Sequence, residues 1–252
     1  MNCFGFTDTG NIRQNNEDSF LIKEFGKKLT VGVVADGMGG HKGGKEASSF
    51  ASSEIMSIIE KNYESFMKYS DIQKQKFLKN AVVKVNKALH KKSKEDETLS
   101  GMGTTLVVCV ICNNSYYVAN VGDSRLYVIS DEMKQITKDH SFVNELLDMG
   151  AISIEQAKKH PNKNVITRAV GTEESVEADI YTGSLNKKDT ILICTDGLTN
   201  MVDDNTILTS VKNLKSPRQL TEKLVKLAKE NGGTDNITAV IIKASTGGEE
   251  SK

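Results

Sequence analysis

The sequence predicts an α+β fold of layered sheets and helices. Helical apolar spacing occurs in a consecutive early pair of segments and one late one, not after every strand, which argues against a doubly wound parallel sheet. Short β-branched runs fill much of the remainder. Asn113-Asn114 and Gly122-Asp123-Ser124 separate such runs at hairpin distance, which favours antiparallel pairing. With only two prolines and no Ser/Gly-rich linker in residues 1–243, one domain is expected, followed by a polar tail at 244–252.

Strands are expected at 20–22 and 29–35, ahead of the first helix, where Ala47, Phe50, Ala51, Ile55, Ile58 and Ile59 recur every three or four residues. The second helix repeats that spacing with Leu78, Ala81, Val82, Val85, Ala88 and Leu89, and carries lysines on its other face. Strands follow at 104–112, 116–121 and 126–129. Residues 143–169 then read differently, as a short helical pattern at 143–149 and a Lys-rich irregular stretch, the signature of a surface insertion or lid. The last strands, 190–194 and 237–242, bracket a helix that starts at Ser216-Pro217. Ser suits the N-cap, Pro the first helical position and Gln219 the capping-box place; Gly232-Gly233 ends the segment.

Composition narrows the function. The 252 residues carry 33 Lys+Arg and 33 Asp+Glu, so no basic excess exists to drive bulk electrostatic binding of nucleic acid. At 38% hydrophobic and 26% charged, the chain is too apolar to be disordered throughout. Its apolar runs have strand length, well short of the ~20 residues of a membrane span. No secretory leader pattern opens it, so a cytosolic globular protein is expected. Cys109 and Cys112 spell CxxC, but residues three apart on a strand face opposite sides, so packing is expected there and not metal binding.

The chemistry is signalled by where the acids stand. Asp36 and Asp196 each follow an apolar strand and precede a glycine; Asp123 ends a third strand, Asp235 precedes a fourth, and Glu17-Asp18 precede a fifth. One Asp-Gly after a strand is an ordinary tight turn. Converging strand ends would instead crowd these carboxylates into one volume, and their repulsion would demand a cation. Oxygen-only ligation selects hard ions such as Mg²⁺ or Mn²⁺.

The blocks TDTGNIRQNNEDSF, VADGMGGHKGGKEAS, GMGTTL, VANVGDSRLY, DHS, NVITRAVG, ICTDGLTNMV and GGTDNITAVII occur in this order. Together they resemble the metal-dependent Ser/Thr protein phosphatases, the PPM or type 2C family, in their short bacterial form, from about residue 3 to 242. The resemblance implies a four-layer α-β-β-α sandwich, with two antiparallel sheets flanked by helices. It implies a catalytic domain over 1–243 with a flap at about 143–169, and two Mn²⁺ or Mg²⁺ ions with a weaker third. Direct attack by a metal-bridging hydroxide on phosphoserine or phosphothreonine would follow. It also implies phosphoprotein substrates, an opposing Ser/Thr kinase, a monomeric state, and neither nucleic acid nor membrane as partner.

Carried over residue by residue, Asp36 would bridge two metals and the Gly37 carbonyl would bind one. Asp196 and Asp235 would complete the other shell, Glu17 and Asp18 would hold metal-bound waters, and Asp123 would serve the third ion. Arg13 stands where the family keeps its phosphate-binding arginine, and a planar guanidinium can grip two phosphate oxygens. The eukaryotic members have His directly after the Asp-Gly; this chain has Met38 there, and His41 becomes the candidate general acid, with His140 a weaker one. His90 and His160 are expected to be solvated. Val143, Asn144 and Arg168 of the flap are candidates for substrate selection.

Two rivals are weighed. Gly39 to Glu46, GGHKGGKE, nearly spells a P-loop, but Glu46 replaces the hydroxyl that would hold Mg²⁺ and would repel phosphate. A catalytically dead binding module would be expected to lose Asp36, Asp196 or Asp235, and all are present.

Overall fold

The protein is described by a computed structural model covering residues 2–26, 28–39 and 43–244. The chain opens with β1 (Asn2–Asp8), β2 (Asp18–Phe25) and β3 (Leu29–Met38), then two long helices, α1 (Gly43–Lys68) and α2 (Asp71–Glu95). After β4 (Gly103–Thr104) come the hairpin strands β5 (Leu106–Cys112) and β6 (Ser115–Val121), then β7 (Arg125–Ile129) and β8 (Met133–Gln135). The segment for which a flap is expected contributes α3 (Phe142–Asp148) and α4 (Ile154–Lys159). The chain continues through β9 (Asp179–Ser184), β10 (Thr190–Cys194), α5 (Asp196–Thr199), α6 (Asp204–Asn213), α7 (Pro217–Glu230) and β11 (Ile237–Lys243).

Every strand pairing is antiparallel. One sheet runs β1-β11-β10-β7-β8 and the other β2-β3-β5-β6-β9, with β4 beside β3. The expected α+β sandwich is therefore present, and three apolar layers hold it together. Val31, Val33, Val108 and Val110 pack with Ala51, Ile55, Val82 and Leu89 between one sheet and α1–α2. Val34, Val107, Val118, Ile193 and Val240 fill the space between the sheets. Leu192, Ala239 and Ile241 meet Ile207, Leu220 and Leu224 of α6 and α7 on the far side. Strict alternation along each strand feeds both faces. Cys109 accordingly belongs to the inter-sheet layer and Cys112 to the helix-facing one, so the CxxC grips no common ion.

Ser216 caps α7 as expected, accepting a hydrogen bond from the Gln219 amide, with Pro217 in the first turn. The elements that lacked a sequence signal strong enough to be expected include β1, β8, β9, α4, α5 and α6. β1 is only partly buried and β9 is an edge strand, so neither carries the apolar run that marks a central strand. The antiparallel order also removes the parallel sheet that the P-loop reading required.

Candidate metal and phosphate site

The register of β2 and β3 sets Asp18 directly opposite Asp36. At the same end of the sandwich, β10 runs into Asp196 and β11 starts just after Asp235, with Cys194 paired to Ala239. Asp123 lies in the turn between β6 and β7, whose Arg125 pairs with Cys194. The strand ends thus converge as the sequence predicts.

The electrostatics record that convergence. Burial pushes the Asp36 carboxyl well above its usual range, and Asp18, Asp196, Asp123 and Asp235 push it further. Burial raises Asp18 to about 7, with Asp196 and Asp235 adding to the effect against two hydroxyl donors. Burial likewise raises Asp123 to about 8, aided by Asp196, and raises Asp196, aided by Asp235. Each carboxylate is held costly in its charged form.

Neutral side chains brace the cluster. Thr195 and Thr238 both donate to Asp18 Oδ2, at 2.9 and 2.6 Å, and so tie one sheet to the other. Asn236 accepts from the Glu17 amide and donates to the carbonyls of Thr9 and Asn15. The Asp36 amide donates to Thr105 Oγ1 at 2.9 Å, and that hydroxyl lies 2.7 Å from Ser124 Oγ, which joins the Asp36 and Asp123 turns. Sequence reasoning missed these hydroxyls and amides. Their neighbours' carboxylates carried the signal, and a lone Thr or Ser beside a strand carries none.

Gly37 has a steric reason. A Cβ there would come within 2.0 Å of the Gly44 carbonyl and 2.7 Å of the Glu17 carbonyl, so only glycine lets the α1 terminus and the β2 entry close on this turn. Arg13 donates from Nη2 to Asp235 Oδ2 at 2.9 Å, while no described partner engages the rest of its exposed guanidinium fork. His41 lies outside the described residues.

The donor set fits hard divalent cations: carboxylates, with Asp18 Oδ1 buried and lacking any hydrogen-bond partner. Among the described residues, however, no three His, Cys, Asp or Glu side chains are gathered tightly enough to hold an ion as they stand. The partners explain the spacing. Asp235 is drawn to Arg13 and the Asn236 amide, Asp196 to Asn200, and Asp18 to its threonines.

A cleft of about 750 Å³ leads away from Asp123 and Asp196, between the flap and α6. Val143 and Asn144 line it. Arg168 does not; it pairs with Asp179 at 3.0 Å and donates to the Glu177 carbonyl. His140 is 6% exposed, which removes it as a donor to solvent-borne substrate. His160 ends α4 and packs against Phe142, and half-buried His90 contacts the Gly171 carbonyl, so neither is simply solvated.

A family profile described as Protein phosphatase 2C matches residues 11–239. The chain belongs to the protein phosphatase 2C family. A serine/threonine phosphatase stp of Listeria innocua is 40% identical over 241 residues, covering 94% of this chain and 93% of that one. Protein phosphatase PhpP of Streptococcus pneumoniae is 36% identical over 247 residues, with 94% of each chain covered. Among solved structures, Staphylococcus aureus Stp1 superimposes with a TM-score of 0.88 at 37% identity, covering 96% of this chain and 94% of that one. The Mycobacterium tuberculosis phosphatase PstP/Ppp gives 0.85 at 33%, covering 96% and 98%. This type 2C chain is a protein serine/threonine phosphatase and acts on phosphoproteins; metal dependence is a feature of its family. Among the described residues no helix is long and apolar enough to cross a membrane.

Proposed function

We propose that the carboxylate end of the sandwich holds Mn²⁺ or Mg²⁺ and there hydrolyses phosphoserine and phosphothreonine directly, without a phosphoenzyme. The observation that carries this reading is the mutual elevation of Asp18, Asp36, Asp123 and Asp196, a charge concentration that a divalent cation relieves. When bound, the ions would supply the Lewis acidity that activates water and offsets phosphate charge. Asp36, Asp196 and Asp235, with the Gly37 carbonyl, would hold the core ions, and Asp123 a weaker one. Glu17 and Asp18 would orient waters around them. Arg13, with its guanidinium fork still free beyond the Asp235 contact, would grip the phosphate. Assay of a phosphopeptide should show turnover with Mn²⁺ or Mg²⁺, loss with a chelator, and recovery on adding metal back. Turnover indifferent to the chelator would refute the site.

The departing serine or threonine alkoxide needs a proton, and His41 is assigned to supply it. His41→Ala should then lower kcat on a phosphoserine peptide by roughly a hundredfold or more, and far less on an aryl phosphate with a good leaving group. Equal losses on both substrates would remove that role.

Residues 1–243 are read as one catalytic domain, and residues 143–169 as its substrate-selecting flap. Val143 and Asn144 face the cleft, and Arg168 would act indirectly through Asp179. Exchanging the flap for a relative's should alter kcat/KM among phosphoproteins and leave small aryl phosphates nearly unaffected. Unchanged preference would count against it. A cytoplasmic monomer opposing a Ser/Thr kinase completes the reading.

A further inference from the structure

We propose that His140 is a positioning residue that fixes the Gly122–Asp123 turn, and that Asp179 in turn orients its ring. This rests on Asp123 being a metal ligand, as proposed above. His140 is 6% exposed and grips Gly122 twice. Its amide donates to the Gly122 carbonyl at 3.0 Å, and the Gly122 amide donates to His140 Nδ1 at 3.1 Å. A ring nitrogen that accepts carries no proton, so the neutral ring bears its hydrogen on Nε2.

That Nε2 is buried, and its one close polar neighbour is Asp179 Oδ2 at 3.2 Å, an approach whose angle falls short of a formed hydrogen bond. Asp179 is itself held: Arg168 donates to Oδ1 at 3.0 Å and the Tyr181 hydroxyl to Oδ2 at 3.3 Å. The Gly122 amide thus sets the tautomer, and the Asp179 carboxylate facing Nε2 favours the same one. The same logic makes outer partners of metal-binding groups matter in other sites.

The turn needs such support. Gly122 has φ +101°, a conformation that favours glycine, and a Cβ there would meet Thr105 at 2.6 Å. Asn120 adds a longer contact of 3.4 Å to the Gly122 carbonyl. On the other side, Ser124 Oγ reaches Thr105. Asp123 is thus suspended between the Ser124 contact and the His140 contact. The backbone of His140 also closes the flap, since its carbonyl accepts from the Thr167 amide.

Two conservative variants separate the ring's contacts. In His140→Asn the amide oxygen can stand in for Nδ1 and keep the Gly122 bond. In His140→Gln the amide can reach Asp179, but the acceptor for Gly122 is lost. Mn²⁺ binding to the metal-free protein is followed by calorimetry, with Asp123→Asn as reference and amide exchange at Gly122 as a second readout. Expected is about tenfold weaker binding at the Asp123-dependent site in His140→Gln. Binding in His140→Asn should stay near wild type, and Gly122 exchange should be faster only in the Gln variant. An unchanged isotherm in His140→Gln, with Asp123→Asn clearly weakened, would overturn the proposal. If Asp123→Asn itself binds Mn²⁺ normally, the ligand reading of Asp123 falls. The positioning role then stands or falls on exchange at Gly122: unchanged exchange in His140→Gln overturns it, and faster exchange supports it.

Discussion

Replacing Asp36 with Asn is expected to abolish most turnover while making the metal-free protein more stable. The two effects share one cause. Asp36 is the carboxylate on which burial and four other acids act together. An amide of the same shape removes a desolvated charge from that field, so the apoprotein should melt at higher temperature at pH 8. The catalytic loss is expected because Asp36 is proposed as a ligand to ions that would contribute several kcal/mol of transition-state stabilisation. About 4 kcal/mol corresponds to roughly a thousandfold in kcat/KM. Phosphopeptide kinetics with saturating Mn²⁺ and thermal melts without it measure both. Full manganese-dependent activity in the variant would sink the assignment of Asp36.

The second large effect is a metal-linked, pH-dependent stabilisation. Asp18, Asp36, Asp123 and Asp196 all have folded-state pKa values above those of exposed carboxylates. The folded chain therefore binds more protons than the unfolded one, and stability without metal falls as pH rises through the folded values. For Asp18 and Asp123 those are about 7 and about 8, against 3.8 for an exposed group, so the loss starts at about pH 4 and is complete by about pH 8.5. On the proposed assignment, divalent cations would bind the deprotonated cluster and compete with protons at the low end. At a hundredfold excess over Kd, one site adds about 2.7 kcal/mol. In a chain of this size that is roughly 5–10 °C in Tm. The rise in Tm on adding Mn²⁺ should be several degrees larger at pH 8 than at pH 6. An equal rise at both pH values would show that the acids are not what the ion neutralises.

Much of this was legible in the chain because strand-end acids leave a local mark. Asp36-Gly37 and Asp196-Gly197 each close an apolar run, so the run predicts the strand and the acid falls within two residues of its end. The long helices were legible for a similar reason: their apolar residues repeat at 3.6 along the buried face, from Ala47 to Ile59 in α1 and from Leu78 to Leu89 in α2. Of the short helices only α3 left such a pattern. In α4 Ala157 alone is buried, and the edge strand β9 alternates between half-buried and exposed positions, so neither carries a strong periodic signal.

His140 illustrates the limit most clearly. In sequence it is one histidine beside an aspartate, a plausible proton donor. In the fold it is buried between Gly122 and Asp179, residues 18 and 39 positions away in opposite directions. Arg168 is similar: a flap arginine by sequence, an ion-pair partner of Asp179 by contact. Thr195, Thr238 and Thr105 brace carboxylates from other strands, and nothing in their own neighbourhoods says so.

By itself the sequence determined the secondary elements with strong periodicity, the α+β class and the set of acids to watch, because each depends on residues close together in the chain. Only the tertiary structure decided which hydroxyls and amides hold those acids, which histidine is buried, and how strongly the carboxylates act on one another. Those are properties of distance and desolvation, and both are fixed only when strands remote in sequence are packed side by side.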